Sequence, residues 1–343
     1  MGANESVSIR INFNRSNRFY FTGEQVSGNI SIDNLREKVK LDEIFIELVG
    51  ELGYTTQETR TKNDTNGKST SENYTSYHHI PFLTTRLPLV QSHHVQDQMI
   101  LSRGHYTWPF EFTLPESLPP TTQPNLTVYP NVRYLIRIVL DKPWYKFNQT
   151  QAYLFTVCPK INLSYQTIHF NKQNRKQLQF EGCLLRNGII PGQSFSIQIK
   201  LQNPERTKIK RIEVAFIQHR QTSVDRHKEI ILSADLPGFY EFDGASLEQT
   251  FELPLSNDYI APTYSFETSW HNHPYRLIIE YELILTIKPH GFFTKFDVSV
   301  PVIVGTQSNH ENQIQEKYDE KNTYQMVDEL EPPPSYESIV NTK

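Results

Sequence analysis

Gly23-Glu24-Gln25-Val26-Ser27 opens a run of alternating apolar residues that returns later in the chain. The second copy, Gly192-Gln193-Ser194-Phe195-Ser196, begins 169 residues after the first. The residues that follow keep the same spacing in both copies: Ile30, Ile32 and Asn34 in the first, and Ile199, Leu201 and Asn203 in the second. A repeat of this length predicts two similar domains rather than a solenoid of short units.

A second pair of related segments follows in the same order. Lys142-Pro143 leads into Lys146-Phe147, and Lys288-Pro289 leads into Lys295-Phe296. Each pair comes after a long alternating run, so we interpret both as hairpin turns. We place the domain boundaries in polar stretches of the sequence. This gives a leader at 1–6, a first domain at 7–165, a second domain at 166–305 and an acidic tail at 306–343.

Alternation of apolar and polar residues runs through both predicted domains. The clearest series are Val7 to Phe13, Ile44 to Leu48, Phe110 to Leu114, Tyr134 to Leu140, Phe195 to Leu201, Ile212 to Phe216, Tyr275 to Ile287 and Phe296 to Val304. A period of two buries one face of a strand, so we expect an all-β protein of two tandem, immunoglobulin-like antiparallel β-sandwiches. We expect one short helix around Asn34–Lys40, and a long polar loop at residues 55–79.

Composition excludes several classes of protein. The chain has no apolar run near the ~20 residues of a membrane-spanning helix, and residues 1–10 lack the apolar segment of a signal peptide. Its two cysteines are too few for a disulfide scaffold, which favours a reduced, cytoplasmic protein. The net charge is -4, and residues 305–343 hold eight acidic and three basic residues. The body is therefore nearly neutral, and we expect no nucleic-acid binding.

Several motifs together resemble the α-arrestins, also called arrestin domain-containing proteins. They are Gly-Glu-Gln-Val-Ser-Gly at 23–28, Gly-His-Tyr-Thr-Trp-Pro-Phe-Glu-Phe at 104–112, the strand and turn at 133–144, Ile-Pro-Gly-Gln at 190–193, and Val-Pro-Val-Ile-Val-Gly at 300–305. Their order covers residues 7–305. The resemblance implies two β-sandwiches joined edge to edge, with concave surfaces that contact cargo or membrane. It also implies an adaptor rather than an enzyme.

The tail carries the motif Glu331-Pro332-Pro333-Pro334-Ser335-Tyr336. Consecutive prolines hold the backbone in polyproline II before any partner binds, so little ordering entropy opposes association. WW domains bind such segments in an aromatic groove, and a second pocket accepts the tyrosine. We assign Pro333 and Pro334 to the proline groove and Tyr336 to the tyrosine pocket. The alternative is a proline-stiffened tail with a chance tyrosine.

The resemblance implies the identity of the WW-domain partner, a Nedd4-type HECT ubiquitin ligase. The chain would then bind membrane-protein cargo through its body and promote ubiquitination and endocytic sorting at the plasma membrane and endosomes. A structural cargo-sorting subunit of a retromer-type coat is the alternative function. The sequence offers no catalytic constellation, metal site or cofactor motif, so we expect no catalytic residues, no metal and no cofactor.

Weaker signals each have two interpretations. Met1-Gly2-Ala3-Asn4-Glu5-Ser6 fits the pattern for myristoylation of Gly2, which would allow peripheral membrane association, or fits it by chance. The histidines are interpreted as surface residues rather than metal ligands, and the cysteines as buried or idle thiols. A basic group in the second half suits acidic headgroups or a solvated strand edge: Lys200, Arg206, Lys208, Lys210 and Arg211.

Overall fold

A computed structural model of the chain describes residues 7–63, 69–91, 99–122, 128–163, 166–175, 177–291 and 295–306. Every regular element within these ranges is a β-strand, which confirms the all-β prediction. Gly2 and residues 307–343 lie outside the described part of the chain.

The first eight strands form two sheets, which together we call the first sandwich. Their bounds are β1 (Val7–Phe13), β2 (Phe19–Phe21), β3 (Gln25–Leu41), β4 (Glu43–Asn63), β5 (Ser69–Gln91), β6 (Met99–Thr113), β7 (Asn131–Asp141) and β8 (Gln149–Cys158). The strand orders are β1-β3-β6 and β2-β8-β7-β4-β5. Neighbours pair antiparallel except β2 and β8, which run parallel.

Ten further strands form the second sandwich. They are β9 (Ile168–Gln173), β10 (Gln179–Leu184), β11 (Gly188–Ile189), β12 (Ser194–Gln202), β13 (Ile209–Gln221), β14 (Arg226–Asp235), β15 (Ser246–Pro254), β16 (Tyr264–Trp270), β17 (His273–Pro289) and β18 (Phe296–Val304). The orders are β9-β10-β12-β15 and β11-β18-β17-β13-β14, and β16 also pairs with β17.

The second sandwich repeats the connectivity of the first. Its large sheet has the same strand order, and β11 pairs parallel with β18 as β2 does with β8. The small sheets correspond as β1-β3-β6 and β10-β12-β15, to which the second sandwich adds β9. The duplication predicted from the repeat is therefore confirmed. Equivalent strands β3 and β12 begin at Gln25 and Ser194, the same distance apart as the repeated glycines.

Each repeated glycine occupies a turn that only glycine adopts without strain. Gly23 has φ of 81° and Gly192 has φ of 88°, in the left-handed region. A Cβ atom on Gly192 would lie 1.7 Å from Oδ1 of Asn257, so there is also no room for a side chain. These turns set where β3 and β12 enter their sheets.

The repeated asparagines Asn34 and Asn203 form equivalent hydrogen bonds in the two sandwiches. Nδ2 of Asn34 donates to the carbonyls of Leu101 and Ser102, and its Oδ1 accepts from the amide of Arg36. Nδ2 of Asn203 donates to two carbonyls, and its Oδ1 accepts from the amide of Thr207. Both side chains are buried. Each amide satisfies backbone groups where the strand leaves its regular ladder.

The alternating series form the cores of the sandwiches. Inward-facing residues Ile44, Ile46 and Leu48 are buried, as are Phe195 and Ile197 in the second half. In the second sandwich, the ring of Phe195 on β12 lies 5.0 Å from that of Phe216 on β13. Because β12 and β13 belong to different sheets, this contact joins the two layers.

The predicted helix around Asn34–Lys40 is wrong, because this stretch is the second part of β3. Its pairing with β6 shifts register between Asn34 and Lys38 and then continues to Leu41. A neighbouring strand supplies the backbone hydrogen bonds, so tertiary pairing overrides a weak local helical pattern. The irregularity leaves Leu35 exposed.

The loop predicted at residues 55–79 is also wrong for the parts that the structure describes. Residues 55–63 of β4 and 69–79 of β5 pair in register, and 64–68 lie outside the description. Polar side chains bridge the strands: Thr59 Oγ1 donates to Asn73 Oδ1 at 2.9 Å, and Tyr74 donates to Glu58. Beyond Gly53, β4 pairs with β5 but not with β7. A two-stranded ribbon has no buried face to impose apolar alternation, which explains the error.

Replacement of Asn34 or Asn203 should destabilise the protein. We expect Asn34→Ala and Asn203→Ala each to lower the free energy of unfolding by about 2 kcal/mol, because buried backbone groups lose their partners. Urea denaturation followed by circular dichroism measures this. Asn29→Ala is the matched control, since Asn29 lies exposed on the same strand as Asn34. An equal cost for Asn29→Ala, or none for Asn203→Ala, would contradict the assignment.

Candidate functional site

The residues that the sequence assigns to WW-domain binding, Pro333, Pro334 and Tyr336, lie outside the described residues, as does Gly2. Their roles therefore stay predictions. What the structure does describe is the body to which the motif is attached. Two of its features have the character of functional sites: the seam between the sandwiches and a groove on the second sandwich.

The seam contains direct polar contacts between the two sandwiches. The backbone amide and the Oγ1 hydroxyl of Thr55 both donate to Oδ2 of Asp225, at 2.7 and 2.8 Å. The Tyr259 hydroxyl donates to the carbonyl of Thr121 at 2.6 Å. Asp225 directly precedes β14, so the turn between β13 and β14 docks on the base of the β4–β5 ribbon.

Aromatic rings fill the seam beside these polar contacts. The rings of Phe82 and Phe266 lie 4.9 Å apart in an edge-to-face arrangement. Tyr54 lies 6.0 Å from Tyr275, and burial together with the neighbouring Tyr275 raises the pKa of Tyr54 to about 12. Edge-to-face aromatic pairs add about 1 kcal/mol to the free energy of burying their surface. The seam thus combines directional hydrogen bonds with apolar packing.

Arg220 on β13 is the most unusual residue of the seam, because its side chain is 0% exposed. Nη1 donates to the carbonyl of Pro130 in the first sandwich at 3.3 Å, and Nη2 lies 3.4 Å from Oε2 of Glu229. Nε has no hydrogen-bond partner among the described residues. Burial lowers the pKa of the Arg220 guanidinium, and the carboxylate of Glu229 opposes that shift.

A chain of buried polar groups lies next to Arg220 within the second sandwich. Gln218, two residues earlier on β13, donates to the hydroxyl of Tyr281, which in turn donates to the carbonyl of Ala261. Both hydroxyl and amide are buried. A buried chain of this kind holds its members in one arrangement, since each lost hydrogen bond would leave a desolvated group.

The segment that joins the sandwiches is fastened next to the end of the described chain. Thr306 Oγ1 donates to the carbonyl of Pro159 and accepts from the amide of Ile161, both at 2.7 Å. Cys158 packs against Phe19, Phe21 and Tyr259. Burial raises the pKa of the Cys158 thiol to about 12. Cys158 and Cys183 are both free and buried, which confirms the prediction of buried thiols.

A groove of about 650 Å³ lies on the small sheet of the second sandwich. It is lined by His169, Phe170, Asn171, Glu181, Gly182, Cys183, Gln198, Lys200 and Glu248. Two carboxylates, one ammonium group and two amides give it donors and acceptors of both signs. Gly182 leaves no room for a side chain, because a Cβ atom there would lie 2.4 Å from the carbonyl oxygen of Gln198. Such a surface can hold an extended polar segment through hydrogen bonds.

Two members of the basic group predicted near β13, Lys208 and Arg211, form ion pairs with neighbouring acidic side chains. Nζ of Lys208 lies 2.5 Å from Glu241, and Nη2 of Arg211 lies 2.5 Å from Glu213. Lys288 also pairs with Glu213. Of the two interpretations, this arrangement favours the solvated strand face over a site for acidic headgroups.

Two of the described histidines illustrate their surroundings. His78 approaches Thr56 Oγ1 at 2.8 Å and stacks on Tyr54. His271 lies in the turn between β16 and β17 with φ of 47°. In the part of the chain that the structure covers, no group of three or more His, Cys, Asp or Glu side chains is arranged to hold a metal ion. No helix there could cross a membrane.

Sequence reasoning missed Arg220 and Asp225, although one signal was available. The alternation of Ile212, Val214 and Phe216 continues to Gln218 and Arg220, and all five face the same buried side of β13. A long polar side chain on an apolar face indicates a buried interaction partner. What could not be read from the strand was that the partner lies on the other sandwich.

Duplicated β-sandwiches joined by a buried polar seam define a protein of two tandem β-sandwich domains. Residues 9–164 match the family model described as arrestin (or S-antigen), N-terminal domain, and residues 174–309 match arrestin (or S-antigen), C-terminal domain. This chain belongs to the arrestin-domain family.

A curated relative supports the same assignment. Arrestin domain-containing protein 17 of Caenorhabditis elegans is 26% identical over 230 residues, which cover 61% of this chain and 51% of the relative. The matched region thus spans about half the length of that relative. This similarity supports membership of the arrestin-domain family.

The buried charge of Arg220 makes a contrasting pair of variants informative. We expect Glu229→Ala to lower the free energy of unfolding by about 2 kcal/mol, because Arg220 stays buried without its carboxylate. Arg220→Met keeps most of the volume and removes the charge, so it should cost less. Chemical denaturation gives both values, with Glu252→Ala as an exposed strand control. A larger cost for Arg220→Met than for Glu229→Ala would contradict this account.

The raised pKa of Cys158 predicts low thiol reactivity in the folded protein. Alkylating reagents attack the thiolate, and at pH 8 a thiol whose pKa is about 12 is almost wholly protonated. We expect iodoacetamide to leave Cys158 unmodified at pH 8 and to modify it after denaturation. Peptide mass mapping reads out the site. Modification of native Cys158 as fast as that of a free thiol would show that the seam opens readily.

Proposed function

We propose that this chain is a trafficking adaptor without catalytic activity, which binds membrane-protein cargo through its arrestin body and recruits a Nedd4-type HECT ubiquitin ligase. Recruitment is through Pro333, Pro334 and Tyr336, bound by a WW domain of the ligase. The single observation that carries the proposal is the Pro-Pro-Pro-Ser-Tyr motif at 332–336 behind a body of the arrestin-domain family. The adaptor acts in the cytoplasm, at the plasma membrane and at endosomes.

The chemistry of the motif supports recognition by a WW domain. Pro333 and Pro334 present two rigid pyrrolidine rings to an aromatic groove, and Tyr336 adds a ring with a polar tip. Ser335 faces away as the free position of the motif. Pro332 stiffens the approach. The acidic residues around the motif are of a composition that favours solvation over burial, as the proposal requires.

The body supports the cargo role through two properties. Its seam fixes the two sandwiches through the contacts of Thr55, Asp225 and Arg220, so a cargo segment meets a preorganised surface. Its groove on the second sandwich presents Glu181, Lys200 and the other polar groups along an open sheet face. An extended cytoplasmic segment of a membrane protein suits such a groove.

A single WW-binding motif implies weak intrinsic affinity for the ligase. Only one Pro-Pro-x-Tyr sequence is present in the chain. Strong recruitment therefore requires a second simultaneous contact, which raises the effective concentration of the motif near the ligase. Cargo clustered on a membrane supplies that condition, so ubiquitination depends on cargo density.

Substitution of Tyr336 tests the recruitment. We expect Tyr336→Ala in the full chain to abolish binding to a tandem WW-domain fragment in calorimetric titration, because the tyrosine pocket is left empty. Phosphorylation of Tyr336 should have the same effect, since a dianion is costly to desolvate. Tyr324→Ala is the matched control, an equivalent change in the same tail. An unchanged titration for Tyr336→Ala would refute the assignment.

Affinity capture with wild-type and Tyr336→Ala protein distinguishes the two candidate functions. The adaptor function requires that a ligase be captured by the wild type and lost from the variant, while cargo is captured by both. Capture of coat subunits by both proteins, with no ligase from either, would instead favour the retromer-type coat function.

A further inference from the structure

The loop between β7 and β8 exposes large apolar side chains to an unusual degree. Trp144 is 94% exposed, Phe147 is 97% exposed and Tyr145 is 56% exposed. All three lie within four consecutive residues, 144–147. Large aromatic rings are rarely left so open unless they contact a partner, because each one buries considerable apolar surface when it is covered. We call residues 142–148 the aromatic loop.

The aromatic loop is held in shape by its own hydrogen bonds. The backbone amide of Lys142 donates to Oδ1 of Asn148 at 2.8 Å, and the amide of Lys146 donates to the carbonyl of Pro143 at 2.8 Å. Pro143 is buried and anchors the loop to the sandwich. The rings of Trp144 and Tyr145 contact each other edge to face at 5.9 Å. The exposed rings therefore project from a closed turn.

Basic side chains surround the aromatic loop. Lys142 and Lys146 belong to the loop, and Arg36 lies beside it, because Asn34 pairs with Val7 and Nε2 of Gln149 donates to the carbonyl of Val7. Partial burial, together with the positive charges of Arg36 and Lys146, lowers the pKa of the Lys142 ammonium group. Nζ of Lys146 lies 5.5 Å from the ring centre of Tyr145. Arg36 belongs to the irregular part of β3, where Leu35 is also exposed.

The charge around the loop is positive when the neighbouring acidic residues are included. The end of β3 adds exposed Lys38 and Lys40 to Arg36, Lys142 and Lys146. The acidic residues of the same region are Glu37, Asp42, Asp141 and Glu43, and Glu43 is paired with Arg86. Five cations against the three other carboxylates leave a net positive surface, in contrast to the chain as a whole, whose net charge is -4.

We propose that the aromatic loop and the basic residues beside it form a contact site for an anionic lipid bilayer. Trp144, Tyr145 and Phe147 enter the interfacial layer, where tryptophan and tyrosine rings are favoured. The cations Arg36, Lys142 and Lys146 lie behind the rings at the level of the anionic headgroups. Such basic residues attract a negatively charged leaflet, and the attraction falls with ionic strength.

A bilayer fits this site better than a protein partner does. The loop is a convex tip of a few residues, whereas a specific protein interface buries roughly 1,200 Å² or more. A membrane requires no complementary cavity, and a few inserted rings with basic neighbours give weak, reversible binding. The loop lies on the first sandwich, and the proposed bilayer contact uses none of the residues assigned to WW-domain binding.

Vesicle binding by the full chain tests the proposal. Co-sedimentation with vesicles of phosphatidylcholine alone is compared with vesicles that also contain phosphatidylserine. We expect stronger binding to the anionic vesicles, and a loss of about tenfold or more in the double variant Trp144→Ala/Phe147→Ala, because the inserted apolar surface is removed. Lys142→Gln/Lys146→Gln should remove most of the preference for phosphatidylserine.

Controls separate the bilayer from other occupants. Tyr240→Ala is matched, since Tyr240 is 74% exposed on the second sandwich, and it should bind vesicles like the wild type. Thermal unfolding confirms that each variant is folded. Binding by the Trp144→Ala/Phe147→Ala variant within twofold of the wild type would overturn the proposal. So would a change of its sedimentation coefficient without vesicles, which would show that the loop contacts the tail or a second copy.

Discussion

Contacts across the seam hold the two sandwiches together as one body. Arg220 is buried there with its charge directed at a backbone carbonyl of the first sandwich and at Glu229. Thr55 and Asp225 add a second contact across the same boundary. A buried guanidinium is stable only while its partners remain in place. Displacement of one sandwich would leave the charge of Arg220 buried without them, which is energetically costly. The seam therefore holds two similar domains as one preorganised surface.

Duplication gives the two sandwiches the same framework, and their differences lie at the periphery. Both large sheets have the same strand order and the same parallel pair. The first sandwich extends its β4–β5 hairpin into a polar ribbon and exposes the aromatic loop, while the second adds β9 and the groove beside it. Core packing tolerates little change, whereas loops and sheet margins can vary without loss of stability. Functional differences between the halves are therefore expected in these additions.

The proposed contacts would act at separate places on the molecule. Thr306, at the end of the described chain, is bonded to Pro159 and Ile161 beside the seam. The residues that carry the proposed WW-binding motif follow Thr306 in the sequence. The aromatic loop belongs to a β7–β8 hairpin of the first sandwich, and the groove belongs to the second. Separate sites allow membrane, cargo and ligase to be bound together, which compensates for the weak affinity expected of a single motif.

Strand alternation and polyproline geometry are local properties, so the all-β class, the duplication and the motif at Pro333, Pro334 and Tyr336 can be read from the sequence. The repeat also contains Asn34 and Asn203, which make equivalent hydrogen bonds in the two sandwiches. The sequence-based prediction was wrong at 34–40 and at 55–79, where strand partners distant in the sequence supply the hydrogen bonds. The contact of Arg220 with Pro130 and the exposure of Trp144 and Phe147 are visible in the folded structure alone. Burial and contact across a domain boundary depend on the arrangement of whole sheets, which no local pattern encodes.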